Sequence, residues 1–367
     1  MQNRLFILSP CGTSLLNNQA NNAERKLVNQ YANTKQPEQI SPEDKAQLQS
    51  LAERVKHKLV SADLDLASQM SAELNGIIKL YNGQISNSHD YHVLLCTDTW
   101  LGETTATFVS EWLKAKGHTV QINRQTDLQT KDINSFQIAL SEIVTWCEEN
   151  LTNYRNSGYK IIFNLTGGFK SVQGFLQTLA TFYADETIYI FETSKDLLRI
   201  PRLPVEMAAE ETVRQNLETF RRLSIELPIS KKPNIPETLL INIDGQIGLS
   251  PWGDLVWKQT KRKIYSNSLH PSPSKQLTFG SKFEYSVKGI SADRLILVNE
   301  RIDQLSKNLE TKGQYNPPSL DLKTLKGNPC PPSTHEIDAW ADQDAKRIFG
   351  HYDNNCFVLD KLDRALH

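Results

Sequence analysis

The chain has 367 residues, 39% of them hydrophobic, enough for two or three domains with apolar cores. A net charge of -1 excludes a uniformly basic coat for a polyanion, although residues 255–330 hold 13 Lys and Arg against 6 Asp and Glu, a surplus that suits local contact with a polyanion and equally a solvated surface. No apolar run approaches ~20 residues, the start lacks a charged segment followed by an apolar core, and five scattered cysteines have neither metal nor redox spacing, so a soluble, cytoplasmic chain with no membrane partner is expected.

In chain order, residues 4–8 form a compact apolar strand that runs into Ser9, Pro10, Cys11, Gly12, Thr13 and Ser14, a small, hydroxyl-rich turn. Residues 17–90 are polar with helical spacing. Pro42, Glu43 and Asp44 after Ser41 open a helix whose Leu48, Leu51, Val55 and Leu59 share one face. A second helix over 62–81 carries Leu64, Leu66, Met70, Leu74, Ile77, Ile78 and Tyr81. This stretch reads as a helical insertion between the first two strands, without chemistry of its own. A strand over 91–96 exits at Thr97, Asp98 and Thr99 into a helix over 101–116; a strand over 118–123 and a helix over 133–150 follow. His89 and His92 read as loop residues.

Residues 159–174 organise the rest: an apolar strand ends at Asn164, and helical spacing resumes from Ser171. Between them, Gly167 and Gly168 permit unusual backbone angles and close approach of a ligand, Asn164 and Thr166 offer hydrogen bonds, and Lys170 brings positive charge. This is not a P-loop, because Asn164 and Phe169 stand where that pattern needs glycine. An ordinary strand-to-helix turn accounts for the same residues. With strands at 187–192 and 197–200, the alternation predicts a parallel sheet covered on both faces, its exits at 9–14, 97–99 and 164–170 sharing one rim.

Ser9 to Leu15, followed much later by Asn164-Leu165-Thr166-Gly167-Gly168-Phe169-Lys170, resembles the CARF sensor domains of type III CRISPR systems. The resemblance covers about residues 1–205 and implies a Rossmann-like α/β domain whose homodimer binds a cyclic oligoadenylate, with cyclic tetra-adenylate the expected ring. By it, Gly12, Thr13, Ser14, Thr166, Gly167, Gly168 and Lys170 line the ligand pocket, with Asp98 and Thr99 near its wall. Each protomer of a two-fold dimer would offer the same groups to repeating phosphates. Some relatives cleave their activator, for which Ser14 and Lys170 are the candidates, and pure binding is the simpler expectation.

Residues 206–275 read as a connector: a helix over 210–223, prolines at 228, 233 and 236, a hairpin around Asp244-Gly245, and a helix over 252–265 with Lys258, Lys261, Arg262 and Lys263. That basic helix supports an alternative in a different class, a ligand-sensing transcription regulator that reads DNA. Residues 276–367 read as a strand over 279–287, a helix over 292–311, a Leu-Lys-Gly step ending at Gly327, and strands over 335–340, 347–352 and 356–362.

This order resembles the RelE superfamily of toxin ribonucleases, a small α+β fold, and its fusion to a CARF domain resembles the CRISPR-associated mRNA interferases. The resemblance implies an endoribonuclease that cuts mRNA on the ribosome without metal or cofactor, activating the 2′-hydroxyl against the adjacent phosphate. It places Arg347 on the phosphate, His367 as acid or base beside Arg364, and Lys323 and Lys326 on phosphates nearby. Where relatives carry a lysine pair this chain has Glu336 and Asp338, so His335, His351 and Tyr352 are kept as reserves. Arg347 and His351 stand too close in sequence for a HEPN-type ribonuclease.

Overall fold

The computed structural model describes residues 4–85, 89–128, 132–168, 170–190, 196–204, 209–231, 233–327 and 329–365, without the side chains of residues 170 and 171. Its contacts divide the chain into two units, residues 1–206 and 207–367.

The first unit is built on one mixed, mostly parallel sheet. Its elements are β1 (Arg4–Cys11), α1 (Ser14–Asn17), α2 (Asn22–Gln30), α3 (Pro42–Val60), α4 (Leu64–Met70), α5 (Ala72–Leu80), β2 (Tyr91–Thr97), α6 (Trp100–Ala115) and β3 (Thr119–Gln125). Then come α7 (Ile133–Asn156), β4 (Tyr159–Asn164), α8 (Lys170–Tyr183), β5 (Glu186–Ile190) and β6 (Leu197–Pro201). The strand order is β3-β2-β1-β4-β5-β6, with every pair parallel except β5 and β6. Successive residues of β1 face opposite ways. Phe6 packs against Trp146 and Tyr154 of α7, whereas Ile7 joins Leu80 of α5. Helices on both faces explain why the central strands β1, β2 and β4 carry apolar runs. The insertion between β1 and β2 is helical as expected, and α3 starts as the sequence predicts, with Pro42 in its first turn and the Ser41 hydroxyl capping the Asp44 amide. His92, expected in a loop, is a buried residue of β2.

The second unit contains α9 (Glu210–Gln215), α10 (Leu217–Ser224), β7 (Leu240–Ile243), β8 (Gln246–Leu249), α11 (Pro251–Asn267), β9 (Leu277–Phe279), α12 (Ser281–Val287) and α13 (Ala292–Glu310). It ends with β10 (Lys323–Thr324), β11 (His335–Trp340), β12 (Lys346–Asp353) and β13 (Cys356–Arg364). The hairpin of β7 and β8 turns at Asp244 and Gly245, both at positive φ. A five-stranded sheet runs β10-β11-β12-β13-β9, antiparallel except where β9 lies parallel to β13.

Two sequence expectations are corrected here. The strand expected over 279–287 is three residues of β9 followed by α12, in which Phe283 and Val287, four apart, are buried while Tyr285 is exposed. The segment expected as a separate connector is packed within the second unit. Arg221 of α10 and Asp303 of α13 form a buried ion pair at 2.7 Å, and the Tyr265 hydroxyl of α11 donates to the same carboxylate. Arg222 holds Glu310 through two bonds of 2.8 and 2.9 Å.

Candidate functional site

β1 lies between β2 and β4, so three parallel strands deliver their exits to the same rim. The β1 and β4 exits touch. A Cβ on Gly12 would stand 3.4 Å from Gly168 Cα, and one on Gly168 would meet Pro10 Cβ at 2.8 Å. Gly168 also has φ +100°, so both space and backbone angle require glycine there.

Beneath these loops lies Glu73 of α5, 1% exposed. Its Oε1 accepts the Gly12 amide at 3.0 Å, and its Oε2 accepts the Ser14 and Ser71 hydroxyls at 2.7 Å each. Its carbonyl accepts Asn164 Nδ2 at 3.0 Å, and that amide also donates to Ser9 Oγ at 3.2 Å. A Cβ on Gly167 would collide with the Glu73 carboxylate, and one on Gly76 with the Asn164 amide. Glu73 therefore gathers β1, α1, α5 and β4 through its carboxylate and its carbonyl, without a cation among its partners in the described residues. Burial, with Glu73 adding its negative charge, pushes the nearby Cys11 thiol well up.

The Gly12 N–H is thereby donated inward. Thr13 accepts from Asn17 Nδ2 at 3.1 Å, and Ser14 Oγ also accepts the Ala72 amide at 3.3 Å. Thr166 Oγ1 is buried and makes no hydrogen bond among the described residues. Thr99 caps α6 through the Gly102 amide at 3.1 Å. Asp98 turns to Arg124 of β3 at 3.0 Å and Lys35 at 2.9 Å, and its pKa lies below the usual carboxylate value because hydrogen bonds from Lys35 and the Asp127 amide outweigh the opposing effect of burial. The Lys170 side chain lies outside the described residues.

Glu73 and Gln173 escape the sequence reading. Gln173 Nε2 donates to the carbonyls of Leu165 and Gly167 at 3.1 and 2.8 Å, which holds the β4 loop from the following helix. Glu73 left a signal: it falls on the apolar stripe of its helix, three residues after Met70 and four before Ile77.

In the tail, Arg347 and Arg364 of the expected catalytic set stand apart. Arg347 of β12 faces carboxylates: Asp338 at 2.7 Å, and Glu336 and Asp321 at 3.3 Å each. Lys323 pairs with Asp321 at 2.8 Å, which holds that carboxyl below its ordinary value, with Arg347 assisting. Arg347 stands opposite Asp363 and Lys346 opposite Arg364, so alternation along the strands puts Arg347 and Arg364 on opposite faces of the sheet. Lys326 is exposed in the turn after β10. His367 lies outside the described residues. Of the reserves, His351 Nδ1 is 2.9 Å from Asp360. His335 and Tyr352 stack edge to face at 5.2 Å.

The basic helix α11 is not a free cationic stripe. Its Lys261, Arg262 and Lys263 pair with Glu300, Asp293 and Glu210 at 2.7, 2.9 and 2.5 Å, while Leu255, Val256, Trp257, Ile264 and Tyr265 are buried. Among the described residues no group of three or more His, Cys, Asp or Glu is placed to hold a metal, and no helix is long and apolar enough to cross a membrane.

No curated protein matches the chain. A solved structure, Can2 from Sulfobacillus thermosulfidooxidans in complex with cyclic tetra-adenylate, is 11% identical over 73% of this chain and 71% of that one, with a TM-score of 0.23, a likeness too low to bear on fold or ligand. Residues 68–203, from α4 to just beyond β6, match the family model described as CRISPR-associated protein (Cas_APE2256).

Proposed function

We propose that the first unit senses a cyclic oligoadenylate in type III CRISPR defence, and that the second answers as a metal-independent endoribonuclease acting on mRNA, at the ribosome. The rim carries this reading. Two glycine loops on adjacent parallel strands meet at Gly12 and Gly168, beside a buried Thr166 hydroxyl that lacks a partner among the described residues, and the β4 loop falls within the residues that match a CRISPR-associated family. Ligands of open α/β sheets bind at such carboxyl ends. Two copies of the chain around a ring would present these groups with the ring's own symmetry. The ring alters the effector only to the extent that it binds one arrangement better than another.

Calorimetric titration with rings of three to six adenylates tests the first half, with cyclic tetra-adenylate expected to bind and Gly168→Val expected to abolish binding. Translating ribosomes with and without that ring test the second half. Ring-dependent cleavage of message is expected, and its absence with every ring overturns the effector reading. The DNA-reading alternative loses its support, because cations of α11 are held by three acidic partners.

A further inference from the structure

The second unit contains a cavity of about 530 Å³, within the roughly 300–1,000 Å³ of small-ligand sites, at the sheet end where α13 terminates. No carboxylate lines it; Lys312, Lys323, His335, Tyr352, Gln276 and Asn355 do. We propose that this cavity is where the chain binds one nucleotide of single-stranded RNA and cleaves the adjoining phosphodiester, with His335 as base and Lys312 as acid. The cleavage half rests on the effector reading above.

Four observations carry it. Lys312 makes no ion pair with the described residues, unlike Lys323, which is shared with Asp321 and Glu336 at 2.8 and 3.7 Å. An unpaired ammonium in a cavity without carboxylates is a phosphate site. His335 Nδ1 is 2.8 Å from Thr334 Oγ1; with Nδ1–H donated there, the Nε2 lone pair is left to Thr324, at 3.4 Å, and the cavity. Burial holds this imidazole below its ordinary pKa, so it is neutral and able to accept a proton at neutral pH. Tyr352 is 48% exposed although its ring is braced by buried Phe357 at 4.9 Å, which makes it a rigid platform on which a splayed base stacks. Gln276 and Asn355, both exposed, offer amides to a base edge.

The step balances without a metal. His335 Nε2 takes the 2′-hydroxyl proton, the 2′-oxygen bonds to phosphorus, and the bond to O5′ breaks with its electron pair going to O5′. That oxygen takes a proton from the Lys312 ammonium, leaving a 2′,3′-cyclic phosphate and a 5′-hydroxyl; solvent returns the proton from imidazole to lysine.

The test uses the full chain with cyclic tetra-adenylate, a fluorescent 12-nucleotide RNA, and the same sequence fully 2′-O-methylated as an uncleavable anisotropy probe. His335→Gln is expected to slow cleavage by ~100-fold or more, to remove the acid limb of the pH–rate profile, and to leave probe binding within twofold. Lys312→Asn, which suits the positive φ at that position, and Tyr352→Ala are each expected to weaken probe binding about fivefold. If His335→Gln cleaves within threefold of the native chain while Arg347→Ala does not cleave, the cavity assignment falls and the effector reading stands. If the native chain ignores every ring and cleaves nothing, but probe binding still depends on Lys312 and Tyr352, the effector reading falls and the cavity stands as an RNA site. Probe binding unchanged in both Lys312→Asn and Tyr352→Ala overturns the proposal outright.

Discussion

Two networks, one in each unit, satisfy their acids in opposite ways. Under the rim, Glu73 is held by an amide and two hydroxyls; in the second unit, Asp303 is held by a guanidinium and a phenol, and Glu336 and Asp338 by Arg347. A carboxylate bound by neutral donors stays a net negative charge that organises loops. One bound by arginine cancels a cation that the sequence alone would count as available. Motifs of small residues are thus safer guides to a site than isolated arginines, because glycine's role is fixed by space and backbone angle while arginine's depends on what stands across the sheet.

That contrast sets the scale of four perturbations. The largest effect is expected from Asp303→Ala, which leaves Arg221 buried and unpaired. It should destabilise the second unit by ~3–5 kcal/mol, read as a lower denaturant midpoint, with double replacement of Arg221 and Asp303 by apolar residues recovering most of the loss. Next comes acid. Burial, with His118 adding to it, depresses His92 to about 3, while an unfolded histidine titrates near 6.5. The lowered value means this contribution is complete above about pH 6.5 and is lost as pH falls from there toward 3. The loss should reach on the order of 4 kcal/mol at the bottom of that window and be absent in His92→Leu, as followed by fluorescence of Trp146. Loss of the same stability in that variant would show that another group is responsible.

Glu73→Ala ranks third. It strands neutral donors only, so ~2–3 kcal/mol is expected, less than for Asp303→Ala, together with loss of ring binding by calorimetry. A cost above that of Asp303→Ala would break the contrast. Glu336→Gln is the smallest: it removes one of the two carboxylates near Lys323, a residue of the proposed RNA cavity, and should tighten binding of the 2′-O-methylated RNA by about threefold, with stability nearly unchanged. Unaltered binding would mean that Lys323 remains neutralised by Asp321.

Much of the architecture was legible because its signals are local. The apolar runs of β1, β2 and β4, the Ser41-Pro42 start of α3 and the Asp244-Gly245 turn each depend on neighbours in sequence. The shared rim followed from strand alternation alone. What stayed hidden depends on contacts across the fold. Residues 279–287 alternate like a strand, and only the burial of Phe283 and Val287 on one face reveals α12. Arg347 reads as a phosphate clamp until Asp321, Glu336 and Asp338 are found around it. Glu73 was visible as a charge on an apolar stripe, but the loop it serves begins 61 residues away.

The Glu73 latch also links the rim to the start of α5. Ser71 donates to Glu73 while its hydroxyl caps the Leu74 amide at 3.2 Å. A guest that draws Gly12 off this carboxylate therefore loosens the first turn of a helix far away in sequence. Deuterium uptake at the α5 amides becomes a gauge of rim occupancy, readable before any downstream event takes place.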